Sequence, residues 1–302
     1  MQKTRLLTFL IGVALVTGLD ACQDHRAPSI TPGSTATRLR VRSLSQDLLN
    51  NAVKITTFRY DAQGRLSSLV AYQSPDSTTA QVERSTYQYD AQNRLILHQR
   101  QVTTRPGAVF GPVSDQNRFI YNAAGKVSEI RYSSSILLRT SPSLTVVDLA
   151  VLNSNNALVY VANPRYNAAN QLIGSTTVNY FDGSLGGLTF DNEFSFTGDN
   201  LTFVTTTSTS RPPVGPPFIN RQQNSLTYDN RVNPFYGVYV IPNYFGGIST
   251  VFPNLNTLSP SNITSIGGVT YRYEYNSANL PTVRFTVTDK VVETLRFEYE
   301  AY

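Results

Sequence analysis

Few residues in this 302-residue chain are of types that do chemistry, and their spacing assembles no familiar catalytic constellation. There is one cysteine, Cys22, and there are two distant histidines, His25 and His98. A single thiol excludes an intrachain disulfide and a cysteine-built metal site. No Gly-x-Ser-x-Gly elbow, His-Glu-x-x-His helix or phosphate-binding glycine loop occurs. The residues therefore predict no catalytic set, no metal site and no cofactor, and His98 reads as a surface residue of a strand. The 13 Asp and 7 Glu are dispersed. Glu274, Glu298 and Glu300 alternate with aromatics near the C-terminus, where ion pairs with Arg272, Arg284 and Arg296 are expected. Glycoside cleavage asks only for two carboxyl groups about 5–9.5 Å apart, so a carbohydrate-active hydrolase stays open as the alternative. Tyr236, Tyr239, Tyr244 and Phe245 lie outside any repeat and are candidate ligand contacts, since aromatic faces stack on sugar rings.

Composition narrows the frame that must position these groups. Hydrophobic residues make up 40% and charged residues only 15%, which suits a globular chain rather than a disordered one. Tyr contributes 18 and Phe 15, Trp is absent, and Ser, Thr and Asn occupy the places Lys and Glu usually take. That mixture favours strands and turns. The formal charge of +5 comes from 21 Arg against 4 Lys, spread along the chain without a basic run. Nucleic acid is not an expected partner.

The N-terminus carries an address. Lys3 and Arg5 precede the apolar run Leu6 to Val16, the basic and hydrophobic regions of a secretory signal too short to span a bilayer. Leu19, Ala21 and Cys22 then resemble the bacterial lipobox, with Asp20 departing from the usual small or apolar residue. The resemblance implies lipidation of Cys22, removal of residues 1–21 and a membrane anchor. Residues 22–39, with Pro28, Pro32 and Gly33, read as a flexible tether, and 40–302 as one domain.

A degenerate repeat organises that domain. Phe58-Arg-Tyr60-Asp61-Ala-Gln-Gly64-Arg-Leu66 recurs as Tyr87-Gln-Tyr89-Asp90-Ala-Gln-Asn93-Arg-Leu95 and Phe119-Ile-Tyr121-Asn122-Ala-Ala-Gly125-Lys-Val127. Tyr166-Asn167-Ala-Ala-Asn170-Gln-Leu172, Phe194-Ser-Phe196 to Asn200-Leu201, and Tyr273-Glu-Tyr275-Asn276-Ser-Ala-Asn279-Leu280 are further copies. Leu226-Thr-Tyr228-Asp229 begins alike and diverges at Val232. An aromatic pair at i and i+2 lies on one strand face. The Asp or Asn that follows caps a type I turn. That role explains Asp61, Asp90 and Asp229 better than calcium does, because Asn122, Asn167 and Asn276 replace them. Gly or Asn four residues after the second aromatic supplies a left-handed position. A type I turn closed by one left-handed residue is a bulged hairpin loop. Elsewhere Leu295, Phe297 and Tyr299 alternate with polar residues, as do Val283, Phe285 and Val287, which predicts one buried and one wetted face. About fourteen to sixteen strands fit. The expected fold is all-β, an antiparallel meander of hairpins curled into a barrel or an open half-barrel. Tyr236 to Gly268 interrupts the pattern as a long loop, with room for a short helix between Val251 and Leu258.

The motif resembles the YD repeat of the rearrangement-hotspot and teneurin families, which wind β-hairpins into a shell. With the lipobox, and with Asn233-Pro234-Phe235 and Ser261-Asn262-Ile263-Thr264, the chain is more similar to uncharacterised Bacteroidetes lipoproteins described as porin-like in fold. The resemblance spans roughly residues 40 to 302 and implies β architecture and an envelope location, with no assigned activity. A membrane-spanning pore needs strands with an apolar outer face, which the Arg, Lys and Gln of the returning strands argue against. The reading is an envelope lipoprotein that binds a glycan or a partner protein without catalysis. A purely structural scaffold is the remaining rival.

Overall fold

Period-two alternation, rich in β-branched and aromatic residues, commits the chain to extended structure. The computed structural model describes residues 39–48, 51–75, 82–103, 110–138, 157–168, 171–179, 188–212, 214–238 and 254–302. Cys22, Asn170, Tyr239, Tyr244 and Phe245 lie outside them. The first eight strands are β1 (Leu39–Asp47), β2 (Val53–Tyr60), β3 (Leu66–Ser74), β4 (Val82–Tyr89), β5 (Leu95–Thr103), β6 (Phe110–Tyr121), β7 (Val127–Leu138) and β8 (Ala157–Tyr166). The rest are β9 (Leu172–Asn179), β10 (Leu188–Thr197), β11 (Asn200–Ser210), β12 (Phe218–Val232), β13 (Ser261–Ile266), β14 (Val269–Tyr275), β15 (Pro281–Val287) and β16 (Val291–Ala301). Every strand pairs antiparallel with its sequence neighbours, and β16 pairs with β1. The meander therefore closes into a sixteen-stranded barrel, which removes the two lateral edges an open half-barrel would expose. Among the described residues a 3-10 turn forms at Leu255–Thr257.

The repeat turns form as their residue types require. The Asp61 amide donates to the Arg65 carbonyl at 2.9 Å, and the Gly64 amide to the Asp61 carbonyl at 3.0 Å. Asp61 Oδ1 accepts the amides of Gln63 and Arg65 at 3.0 and 2.9 Å. Asp90, Asn122 and Asn276 cap their turns in the same way. Asn167 Oδ1 accepts the Gln171 amide at 2.9 Å. Gly64, Asn93, Gly125 and Asn279 take positive φ of 78°, 62°, 74° and 60°. One copy departs: Thr197 pairs directly with Asn200, so Gly198 (φ 59°) takes the left-handed position and Asn200 starts β11. The fifth copy is one residue shorter, and that selects a two-residue turn.

All these turns lie at one end of the barrel, where several repeats are locked to the one before. Tyr89 Oη donates to the Leu66 carbonyl and Tyr121 Oη to the Leu95 carbonyl, both at 2.8 Å. Arg65 pairs with Asp61 at 2.7 Å, covers the Tyr89 ring at 4.5 Å and donates to Asn93 Oδ1 of the next turn at 2.6 Å. Arg231 repeats the pattern over the Tyr275 ring and onto Asn279 Oδ1. The chain ends build an eighth, split copy. Phe297 and Tyr299 on β16 stand for the aromatic pair, and Arg40 and Val41 on β1 for the returning Arg-apolar pair. Arg40 pairs with Glu300 at 2.6 Å and lies 4.0 Å over the Tyr60 ring, while Tyr60 Oη donates to the Val41 carbonyl at 2.6 Å. Tyr299 Oη reaches back to the Pro281 carbonyl at 2.8 Å.

The aromatic faces point inward. Phe58, Leu66, Leu69, Tyr87, Phe119, Ile130 and Phe297 form a buried layer beneath the turn end. The segment after β12 enters this layer. Phe235 packs on Phe58 and Phe297, with ring centroids 6.1 and 6.2 Å away, and Leu255 is fully buried in a second cluster with Leu201, Val204 and Leu226. Asn233 staples the segment's base, its Nδ2 donating to the carbonyls of Asn256 and Ser259 at 2.6 and 2.9 Å. Of the long loop expected from Tyr236 to Gly268, residues 254–259 lie against the barrel interior through Leu255 and 261–266 form β13, while 239–253 lie outside the described residues. Outside, Arg59, Arg84, Arg118, Arg131, Arg221 and Arg272 are exposed, with Thr86, Gln99, Ser195 and Thr227 among them.

Two alternation readings are corrected. Arg284, expected on the wetted face, is buried at 5% exposure, and Val283, Phe285 and Val287 are only half-buried. The guanidinium turns inward because Glu293 waits there, with Nη2 to Oε1 at 2.8 Å, and because it rests over the Tyr271 ring. Ion pairing at the C-terminus also differs: Glu300 takes Arg40 and Arg296 takes Asp47, both on β1. Barrel closure supplies those partners, and local alternation cannot foresee it.

Candidate functional site

Moving inward from the turn end along β2 and β4 to β7, the inner face changes from apolar to polar. Residues two apart on a strand share a face. Glu83 and Ser85 therefore follow Tyr87 and Tyr89 into the lumen, and Asp115 and Asn117 follow Phe119 and Tyr121. His98 and Arg100 on β5, Tyr132 and Ser134 on β7 and Lys54 on β2 complete the arc. Arg100 sits at its centre, with Nε 2.9 Å from Glu83 Oε1 and Nη1 2.6 Å from Asp115 Oδ2. Ser134 Oγ donates to Asp115 Oδ1 at 2.6 Å, and Lys54 Nζ lies 3.9 Å from Glu83 Oε2. The side chains of Arg100 and Lys54 keep 36% and 28% of their exposure, whereas those of Glu83 and Asp115 keep 11% and 4%. Solvent meets the cations, and the carboxylates stand behind them.

Electrostatics ties the group together. Burial pulls the Arg100 guanidinium down, but the charges of Glu83 and Asp115 outweigh it and hold Arg100 above its ordinary value. Lys54 is lowered, by burial first and then by Arg100, against the opposing pull of Glu83. The Tyr132 phenol is pushed up to about 12, chiefly by burial and then by the Asp115 charge. Tyr132 stacks on Tyr160 of β8 with centroids 4.7 Å apart and planes 20° from parallel.

His98 is corrected from a surface residue to a buried one, at 4% exposure. It faces the Tyr87 ring at 4.8 Å, and Asn117 Nδ2 lies 3.2 Å from its Nδ1. Burial, with Arg100 two residues away, lowers its pKa to about 3, so the ring is neutral at physiological pH.

Chemically, the two carboxylates are both committed to one guanidinium, which is the wrong state for a general acid and base sharing a substrate. Two cations balance two anions, so the arc offers hydrogen-bond donors and acceptors without a net charge. Among the described residues no group of three or more His, Cys, Asp or Glu could hold a metal ion. The polar wall continues on both sides. Arg284 and Gln46 each contact Glu293 at 2.8 Å on one side. On the other, Thr206 Oγ1 donates to Asn192 Oδ1 at 2.9 Å, and Asn192 Nδ2 to Ser175 Oγ at 3.2 Å.

Of the expected contact residues, Tyr236 is 44% exposed in the turn after β12 and does not join the arc; its neighbour Phe235 is the residue that turns inward. The hairpin residues stay at the turn end, away from the arc. Lys54, Glu83, Arg100, Asp115 and Tyr132 were missed by sequence reasoning. The signal was available in their period-two phase with the aromatic pairs.

No family model matches the chain, and no curated protein matches it. Among solved structures it is similar to a porin-like protein from Bacteroides uniformis ATCC 8492, at 12% identity and a TM-score of 0.48, covering 89% of this chain and 99% of that one. A porin-like protein from Bacteroides vulgatus ATCC 8482 gives 11% identity and a TM-score of 0.40, covering 86% and 98%.

Proposed function

We propose that this chain is an envelope lipoprotein of the YD-repeat-like kind, anchored through Cys22, whose barrel binds a saccharide in its lumen without catalysis. The carrying observation is the charge-balanced arc of Lys54, Glu83, Arg100 and Asp115 beside the stacked Tyr132 and Tyr160. Neutral polyhydroxylated ligands are recognised by such mixed donors and acceptors, with an aromatic face for the ring carbons. A lipid-facing exterior would need an apolar band, and an arginine at the bilayer midplane costs about 2–4 kcal/mol. The exposed Arg84, Arg118 and Arg131 therefore favour an anchored barrel over an inserted one. β1 begins at the turn end, beside Ala301. A tether from Cys22 would hold that inward-packed end toward the membrane and leave the opposite end facing away.

The test is calorimetric titration of residues 23–302 with neutral oligosaccharides from a glycan array, alongside Arg100→Gln. Binding that weakens in the variant while thermal melting stays cooperative supports the reading. Binding of no glycan, or binding indifferent to Arg100, refutes the lumen as the site. Loss of palmitate labelling in Cys22→Ala tests the anchor separately.

A further inference from the structure

The barrel wall has a step at β12. Phe218 to Ser225 pairs with β11, from Ser210 back to Phe203. On the other side β13 reaches β12 only from Leu226, opposite Ile266, before the chain turns at Gly267 and Gly268. Among the described residues nothing pairs with the second edge of 218–225. Alternate residues of an antiparallel strand direct both backbone groups to one side. The Gly267 turn lies against Asn224, which is buried at 6% exposure, so about three N–H and three C=O groups over 218–223 line an open edge roughly 20 Å long.

A second observation falls on the same place. Val214, Phe218 and Ile219 are 89%, 70% and 61% exposed, the three most exposed large apolar side chains among the described residues. Phe218 and Ile219 are consecutive, so one lies on each face of the edge. The segment 218–225 carries one charge, Arg221, and no acid. Arg221 is 61% exposed, and its contact with the equally exposed Glu193 is long, at 4.0 Å, which contributes little. Pro216 and Pro217 guard only the start of the edge.

We propose that the free edge of β12 is a docking site for an extended segment of a partner protein, added as an extra strand. Backbone pairing supplies the affinity and alternate side chains the selectivity. The preferred segment is about six to eight residues long, apolar where it meets Phe218 and Ile219 and acidic opposite Arg221. A second copy of this chain fits less well, because antiparallel self-pairing centred on the segment brings the two Arg221 side chains together.

The probe is a displayed library of random dodecapeptides selected on the full-length protein. Asn220 and Arg221 point their N–H groups to opposite sides, one to β11 and one to the edge. Proline is placed at each in turn, and the variant that leaves melting unchanged is the edge-facing one. Enriched peptides should be β-branched with an acidic residue, and should bind that variant about tenfold more weakly. Arg221→Glu should turn the selection toward basic peptides. No enrichment, or peptides indifferent to the edge-facing proline, overturns the proposal. So does a concentration-dependent dimer in sedimentation that the same proline abolishes, which would assign the edge to a second copy. None of these outcomes depends on saccharide binding in the lumen.

Discussion

Asp90 offers the sharpest test of why the repeat has its sequence. Its Oδ1 accepts the Gln92 and Arg94 amides, both at 2.9 Å, and its Oδ2 accepts Arg94 Nε at 2.7 Å. Asn122 performs the first task in the next repeat, taking the Ala124 and Lys126 amides at 3.0 Å, without any charge. Asp90→Asn should therefore lose only a part-exposed ion pair, about 0.5 kcal/mol. Asp90→Ala also strips a side-chain cap from two amides, and should cost about 1–2 kcal/mol. At about 2–4 °C per kcal/mol for a domain of this size, alanine lowers Tm by several degrees and asparagine by one or two. Acid separates the two further. Burial acts to raise the Asp90 carboxyl, but the Arg94 amide, guanidinium and charge and the Gln92 amide together leave it below the usual range. A depressed carboxyl stabilises the fold above its unfolded value of about 4, and that contribution is lost as pH falls through the folded value. The gap between wild type and Asp90→Asn should close below about pH 4. Urea unfolding followed by far-UV circular dichroism suits a chain without tryptophan. Equal destabilisation by alanine and asparagine would show that capping is not what the motif conserves energy through.

Other expectations follow from the interior. Arg100→Gln strands Asp115 and Glu83 behind the lumen wall and should cost about 2–4 kcal/mol in urea melts; a change under 1 kcal/mol would mean the carboxylates are solvated. The His98 ring should show no titration between pH 5 and 8 in its proton resonances, since its pKa lies near 3. Its lowered value makes stability greatest above pH 6.5 and declining as the unfolded chain takes up the proton below that. Thr177 Oγ1 is buried with no hydrogen-bond partner among the described residues, so Thr177→Val should leave Tm unchanged or raise it by a few degrees. Gly174→Ala would place a methyl against the Asn192 carbonyl and 2.6 Å from Arg165 Nη2; a loss above about 2 kcal/mol is expected, and unchanged melting would mean that β9 and β10 can part to admit the methyl.

The turn end was the legible part of this protein. Asp61, Gly64, Asn93 and Asn279 each sit where local conformational cost puts them, and such costs are readable residue by residue. The phase of the strands was legible too, but not its meaning for charged side chains. Arg284 and His98 look like surface residues until Glu293 and Tyr87 are known to stand beside them, and those partners come from other strands. The eighth repeat escaped notice because its two halves lie on the first and last strands of the barrel. The lumen arc escaped because aromatic repeats draw attention to the turn end, while Glu83, Arg100 and Asp115 lie between copies. For Arg284, His98 and the eighth repeat the missing information was nonlocal pairing, which closure of the sheet supplies; for the arc the phase was in the sequence, and only its pairing across strands was not.

The split repeat bears on how this architecture can be cut. Because Arg40 and Glu300 stand in for the Arg and Asp of an ordinary turn, the chain ends occupy one of eight equivalent positions on a ring. Joining Tyr302 to Leu39 through a short linker and opening the loop at Asn122–Gly125 would preserve every strand pairing. A tether of the kind proposed through Cys22 would then leave the rim a quarter turn or more away. Where such an anchor would attach is thus separable from the barrel, free to vary without disturbing the lumen.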